Sequence, residues 1–171
     1  MKGYIQVYTG NGKGKTTAAL GLSLRAVGAG KKVFFAQFVK GQIYSEVKTI
    51  QNFLPNITIK QYGLDCFIIK KPSQADIDMA RKDFAEIKNV IISGTYDIVV
   101  LDEANIALTY DLFSAEELIE LLKNKAYETE IIITGRYAPT ILFEIADLVT
   151  EMQEIKHYFY KGVKAREGIE F

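Results

Sequence analysis

Thr9-Gly10-Asn11-Gly12-Lys13-Gly14-Lys15-Thr16-Thr17 constrains this chain more than any other stretch. A short apolar strand pattern over residues 4–8 runs directly into it, and an Ala/Leu-rich helical pattern opens at Thr16. Glycines at positions 10, 12 and 14 let the backbone curl so that successive N–H groups point inward, a geometry suited to an anionic polyphosphate. The following helix adds the positive end of its dipole, Lys15 adds a mobile charge, and the Thr16 hydroxyl is able to bind Mg²⁺. A glycine-rich turn that merely contained lysines would need neither the strand before it nor the helix after it. One detail departs from the general phosphate-loop pattern. Counting back from Gly14-Lys15-Thr16, the first glycine slot falls on Thr9, and Gly10 sits one place late.

Beyond the loop, apolar runs alternate with helical patterns, which predicts a parallel sheet built from crossover units. Strands are expected at 4–8, 33–39, 57–61, 97–101 and 130–134, with shorter ones near 148–152 and 158–160. Most are rich in Ile, Val or Phe with little alternation, as strands buried on both faces require. A helix over 16–27, apolar almost all round, is expected to be buried and to stop at Gly28 and Gly30. A second, over 73–92, carries Ile77, Ala80, Phe84, Ile87 and Ile91 on one stripe, with Ser73 and Asp76 as a cap pair. Ser114-Ala115-Glu116-Glu117 repeats the capping signal before Leu118, Leu121 and Leu122. Residues 40–46 and 62–72 read as loops at strand ends, the edge where open parallel sheets bind ligands. With 171 residues and no repeat, linker or low-complexity tract, a single domain over 1–171 is expected.

Charge is balanced, Lys+Arg 21 against Asp+Glu 21, which gives no global attraction to nucleic acid or to a membrane surface. A single cysteine, Cys66, excludes an internal disulfide and fits a reducing cytoplasm. No basic-then-apolar leader precedes the first strand and no apolar run approaches spanning length. A cytoplasmic protein is expected.

Ile98-Val99-Val100-Leu101-Asp102-Glu103 is an apolar strand ending in two acids. Beside a phosphate loop such a strand supplies the carboxylate that holds Mg²⁺ directly or through water, and Thr16 with Asp102 or Glu103 is a sufficient ligand set. Which acid makes the direct contact stays open at this level. Thr134-Gly135-Arg136 closes another strand on the same edge, where Arg136 either stabilises phosphate charge or solvates a loop. Gln37 and Lys40-Gly41 end the second strand, where a polar side chain and a permissive glycine suit a sugar or base. Arg25 alone reads as a surface residue. His157, the single histidine, reads as structural, and Cys66 as without a chemical role. Residue chemistry thus reaches an Mg-ATP-binding enzyme and leaves the acceptor open. A small-molecule kinase, an ATPase and a non-catalytic nucleotide-gated module all fit.

Several segments together resemble the ATP:cob(I)alamin (corrinoid) adenosyltransferase family of P-loop type. They are the Thr9–Thr17 loop, Arg25-Ala26-Val27-Gly28, Gln37-Phe38-Val39-Lys40-Gly41, Val99-Val100-Leu101-Asp102-Glu103 and Ile133-Thr134-Gly135-Arg136. Ile155-Lys156-His157 and Gly162-Val163-Lys164-Ala165-Arg166-Glu167-Gly168-Ile169 match that family's ending. The Thr9 departure is itself part of the family's loop. The resemblance implies an α/β fold with a mostly parallel central sheet and helices on both faces, a P-loop NTPase-like (RecA-like) three-layer sandwich. It implies that Co(I) of a corrinoid attacks the ribose 5′ carbon of ATP and expels triphosphate. The loop then stabilises a leaving group, with Lys13, Lys15 and Mg²⁺ (or Mn²⁺) aimed at charge that grows as the C–O bond breaks.

By this resemblance ATP is held by Gly10, Asn11, Gly12, Lys13, Gly14, Lys15, Thr16 and Thr17, with Arg25, Gln37 and Arg136 as further contacts. Lys15 and Glu103 are the catalytic residues, and Thr16, Asp102 and Glu103 the metal candidates. Family members carry aromatic residues after the third strand that displace cobalt's lower ligand. Here Phe67, within Tyr62-Gly63-Leu64-Asp65-Cys66-Phe67-Ile68, is the aromatic in place. An electron donor for Co(II) and a homodimer are also implied. Some members have an N-terminal segment over the site. This sequence begins at its first strand, so a lid is expected from elsewhere or not at all.

Overall fold

The structure is a computed structural model that describes residues 1–39, 44–63 and 74–171. Six strands form one sheet in the order β3-β2-β4-β5-β1-β6: β1 (Ile5–Thr9), β2 (Val33–Phe38), β3 (Ile57–Tyr62), β4 (Ile98–Asp102), β5 (Glu130–Thr134) and β6 (Leu148–Glu151). Every neighbouring pair is parallel. The helices are α1 (Lys15–Gly28), α2 (Ser45–Phe53), α3 (Gln74–Ser93), α4 (Ala104–Thr109), α5 (Ala115–Lys123) and α6 (Thr140–Ile145). This is an α/β three-layer sandwich of P-loop NTPase-like architecture.

Strand parity divides the core in two. Val7, Phe34, Ala36, Val99, Leu101, Ile131 and Ile133 face one layer, where they meet Ala80, Ile87 and Ile91 of α3, Leu118 and Leu122 of α5 and Leu142 of α6. Val33, Phe35, Ile98, Val100 and Ile132 face the other, against Ala19 and Ala26 of α1 and Ile50 of α2. Because side chains alternate along a strand, continuing the second set by one step brings Gln37, Asp102 and Thr134 to the α1 face at the C-terminal ends of β2, β4 and β5. The same parity that builds the core therefore delivers polar groups to the start of α1.

Several expectations are corrected. The 158–160 segment is no strand but a 3₁₀ turn, Tyr158–Lys161, capped by His157, whose Nδ1 accepts from the Phe159 N–H at 3.0 Å, and closed by Gly162 at φ 76°. Its run of three consecutive aromatics reads as strand-like, yet Phe159 and Tyr160 are exposed. Helix α1 is not buried all round: Leu24 is 56% exposed, and only Lys15, Ala19, Ser23 and Ala26 are buried. It also continues through Gly28, and Gly30 takes the left-handed conformation, φ 79°, that ends it. Of the loop expected over 40–46, residues 40–43 lie outside the described residues and Ser45 already opens α2. Of that expected over 62–72, Tyr62 ends β3 and residues 64–72 lie outside the described residues. Two short helices, α4 and α6, are added. Ser73 of the expected cap pair lies outside the described residues; Asp76 stands in the first turn of α3. Ser114 and Glu117 form the expected capping box on α5.

Candidate nucleotide site at the edge of the sheet

The loop between β1 and α1 is tightly held. Gly10 adopts φ 92° and Gly14 φ 116°, both in the left-handed region that favours glycine. A Cβ on Gly10 would meet the Met152 carbonyl oxygen at 2.4 Å, so the loop also needs glycine for the close approach of the chain leaving β6. The Gly12 N–H donates to that same carbonyl at 2.6 Å.

Lys15 lies only 7% exposed beneath the loop, its Nζ donating to the Gly10 carbonyl at 2.6 Å and the Gly12 carbonyl at 2.8 Å. Burial pushes its ammonium below the ordinary lysine value, Glu103 and Asp102 push it back up, and Arg136 adds to the lowering. Asp102 is fully buried. Its Oδ1 accepts from Thr16 Oγ1 at 2.9 Å and from Thr134 Oγ1 at 2.7 Å. Strand β4 does not adjoin β1, since β5 lies between them, but Asp102 still reaches the loop because Thr16 stands above it. Glu103 is oriented differently. Its backbone turns to φ 59° as β4 gives way to α4, its N–H donates to Thr134 Oγ1 at 3.0 Å, and it lines the open cleft. Gly135, at φ 130°, leaves room for this arrangement: a Cβ there would lie 2.9 Å from Asn105 Cβ and 3.3 Å from Glu103 Oε2.

The cleft has a volume of about 500 Å³. Gly12 to Thr17, Glu103 and Arg136 line it from the loop side, Tyr44 to Glu46 from α2, and His157 and residues 168–171 from the tail. Arg136 also lines an adjoining polar hollow together with Asn11. Not every expected residue gathers here. Gln37 is fully buried, donating through Nε2 to Glu46 Oε1 at 3.2 Å and to Asp102 Oδ2 at 3.5 Å, and accepting from Gln61 Nε2 at 3.2 Å. It sits behind the cleft as a buried tie between strand ends. Arg25 is exposed in the last turn of α1, roughly 15 Å of helix beyond Lys15. Lys40, Gly41, Cys66 and Phe67 lie outside the described residues.

The tail is the part that sequence patterns did not place. Lys13 Nζ donates to Tyr158 Oη at 3.0 Å, the Ile169 carbonyl at 3.2 Å and Glu170 Oε1 at 2.7 Å. The Glu170 carboxyl is held well below the usual carboxylate range, first by Arg166 and then by Lys13 and Tyr158. Lys13 is correspondingly raised by its hydrogen bond to Glu170. The only sequence signal for this packing was the family-like ending that contains Arg166.

A glycine loop with a buried lysine, a threonine over a strand-end aspartate and a second acid open to the cleft define a P-loop nucleotide-binding site. Comparison with known proteins narrows the class. Over residues 1–171 the chain matches the family described as ATP:corrinoid adenosyltransferase BtuR/CobO/CobP. It is 40% identical over 174 residues to the corrinoid adenosyltransferase of Sinorhizobium sp, covering 99% of this chain and 81% of that protein. Against the corrinoid adenosyltransferase of Escherichia coli K12 it is 36% identical over 177 residues, covering 99% and 86%. The corrinoid adenosyltransferase CobA of Salmonella typhimurium LT2 matches at 36% over 177 residues, with the same coverage. The chain belongs to the ATP:corrinoid adenosyltransferase family.

Proposed function

We propose that this chain transfers the 5′-deoxyadenosyl group of ATP to the Co(I) of a corrinoid, in adenosylcobalamin biosynthesis or salvage. The observation that carries the reading is a phosphate-loop cleft, lined by Lys15, Thr16 and Glu103, in a chain that belongs to the family over its whole length. In the reaction the cobalt electron pair forms the Co–C5′ bond. The C5′–O bond breaks and its electron pair leaves with triphosphate, so cobalt is oxidised by two electrons and the carbon is reduced. No protein base is needed, because the nucleophile has no proton to lose. This agrees with a histidine that serves as a turn cap.

The residues of the cleft act on the leaving group. Inward N–H groups of the loop and the Lys15 ammonium bind the triphosphate, and they stabilise it most as the C–O bond breaks and charge grows. Lys15 now rests on the Gly10 and Gly12 carbonyls. It would exchange those neutral acceptors for phosphate oxygens. Arg136, just beyond β5, adds charge from the same side of the cleft. The donors offered to a metal are hard oxygens, as Mg²⁺ prefers: the Glu103 carboxylate, and Thr16 Oγ1, whose proton is spent on Asp102 so that its lone pairs stay available. We assign Glu103 and Thr16 as the direct ligands and Asp102 as the group that orients Thr16. Mg²⁺ bound there would neutralise part of the triphosphate charge. Phe67 is proposed to face the corrin on the strength of the family resemblance alone. A one-electron donor for Co(II), a homodimer and a single domain over 1–171 complete the proposal.

The test is the fate of ATP. Mg-ATP alone should yield little phosphate, whereas added Co(I) cobinamide or cobalamin should give inorganic triphosphate in step with a light-sensitive organocobalt product. Steady release of ADP and phosphate, unaffected by corrinoid, would overturn the reading in favour of an ATPase.

A further inference from the structure

Lys13 stands in the phosphate loop, yet its ammonium is committed elsewhere. An ammonium has three protons, and Tyr158 Oη, the Ile169 carbonyl and Glu170 Oε1 take all three. All three acceptors belong to the tail, far from Lys13 in sequence. Glu170 is gripped from its own segment as well: Oε2 accepts from the Arg166 backbone N–H at 2.8 Å and from Arg166 Nε at 3.2 Å, and Oε1 accepts from Arg166 Nη2 at 3.3 Å and from Tyr158 Oη. One residue further on, the chain reaches the opposite wall. The Phe171 carbonyl accepts from Ser45 Oγ at 3.2 Å, and its ring lies 6.4 Å from that of Tyr44. Residues 168–171 thus bridge from the phosphate loop to the start of α2 and line the cleft between them.

We propose that residues 166–171 form a lid over the cleft, that Lys13 and Glu170 are its latch, and that both are positioning residues for the nucleotide rather than ligands of its phosphates. The proposal rests on reading the cleft as the nucleotide site. Its physical basis is charge. Were Lys13 to leave Glu170 for a triphosphate, a carboxylate would lose a cation beside a polyanion. With the latch closed, Lys13 and Arg166 both hold the Glu170 carboxylate, so it does not face the polyanion without a cation beside it. Lys15 differs in kind, because its present partners are neutral carbonyls of its own loop and their loss strands no charge.

Binding of Mg-ATP by calorimetry, together with amide hydrogen exchange of residues 166–171, tests the latch in Lys13→Ala, Glu170→Gln and the double variant. Each single change should weaken Mg-ATP by about 3–10-fold and the double by little more than either, as for two ends of one contact. Exchange in the tail should rise in all three, with or without nucleotide. Exchanging the charges, Lys13→Glu with Glu170→Lys, should recover part of the affinity. If Lys13 instead binds phosphate and Glu170 competes for it, Glu170→Gln tightens Mg-ATP while Lys13→Ala weakens it, and opposite signs sink the latch. Unchanged tail exchange sinks it too. Failure of the wild-type chain to bind Mg-ATP would overturn the reading of the cleft, a separate outcome from the exchange result, which needs no nucleotide.

Discussion

Asp102 and Glu103 are adjacent in sequence and face different surroundings. Asp102 keeps the parity of Ile98 and Val100, so it points into the α1 layer and is sealed under Thr16 and Thr134. Glu103 leaves the strand at φ 59°, a conformation that costs a non-glycine residue on the order of 1 kcal/mol, and is thereby turned toward the cleft. The two acids should therefore fail differently. Glu103→Gln should raise the Mg²⁺ concentration needed for activity sharply. Asp102→Asn, acting through Thr16, should cost about 10–100-fold with a milder change in metal dependence. Titrating activity against Mg²⁺ separates them, and identical metal curves for both variants and wild type would reduce the acidic strand end to a structural feature. Both acids, Lys15, Thr16 and Arg136 were legible in the sequence because each belongs to a short motif at a strand end. Gln37 was not, since its neighbours Glu46, Gln61 and Asp102 come from three different elements. Lys13 was placed in the right loop, but its partners lie some 150 residues away in the tail, beyond the reach of any local pattern.

Helix α5 shows which elements local chemistry specifies. Ser114 Oγ accepts from the Glu117 N–H at 3.1 Å while Glu117 Oε2 accepts from the Ser114 N–H at 2.8 Å, satisfying two N–H groups that would otherwise lack partners in the helix. Ser114→Ala should lower stability by about 1 kcal/mol. In a chain of this size that corresponds to a melting temperature roughly 2–4 °C lower, measurable by thermal unfolding followed by circular dichroism. An unchanged midpoint would mean that Glu117 holds the helix start without the serine. The strands were legible for a related reason. Residues 33–36 and 98–101 are apolar on both faces, which marks sheet centre in any context. Helices α4 and α6 have six residues each, too few for a periodic stripe. Helix α2 has Tyr44 at its N-cap, with no side-chain cap bond, and buries only Val47 and Ile50. Its existence depends on the sheet face it covers, so a pattern reading took its first turn for loop.

Three carboxylates outside the sheet core tie distant parts of the chain together, and all three are shifted the same way. Asp97 accepts from the Lys32 N–H at 2.8 Å and from Lys31 Nζ at 2.9 Å, fixing the turn after α1 to the start of β4, and the Lys32 N–H first and Lys31 second hold it below its ordinary value. Glu117 is lowered by the Ser114 N–H and then by Arg81 of α3. Glu170 is lowered by Arg166, Lys13 and Tyr158. A carboxylate whose folded value is depressed contributes stability that is fully present above its unfolded value and is lost as pH falls through the folded one. Asp83 is shifted the opposite way, raised mainly by burial despite the Gly63 N–H, so its cost is relieved when it takes up a proton. Because Asp83 is raised while the other three are lowered, it takes up its proton before they do, and the melting temperature should stay level or rise slightly before the acid fall begins. Below about pH 4, the ordinary carboxylate range, it should fall as the other three lose their charge. Glu117→Gln and Asp97→Asn should each lower the plateau and flatten the acid fall, while Asp83→Asn should remove any rise above it. A wild-type curve that declined steadily from neutrality, with no plateau, would show that these contacts do not govern the acid response.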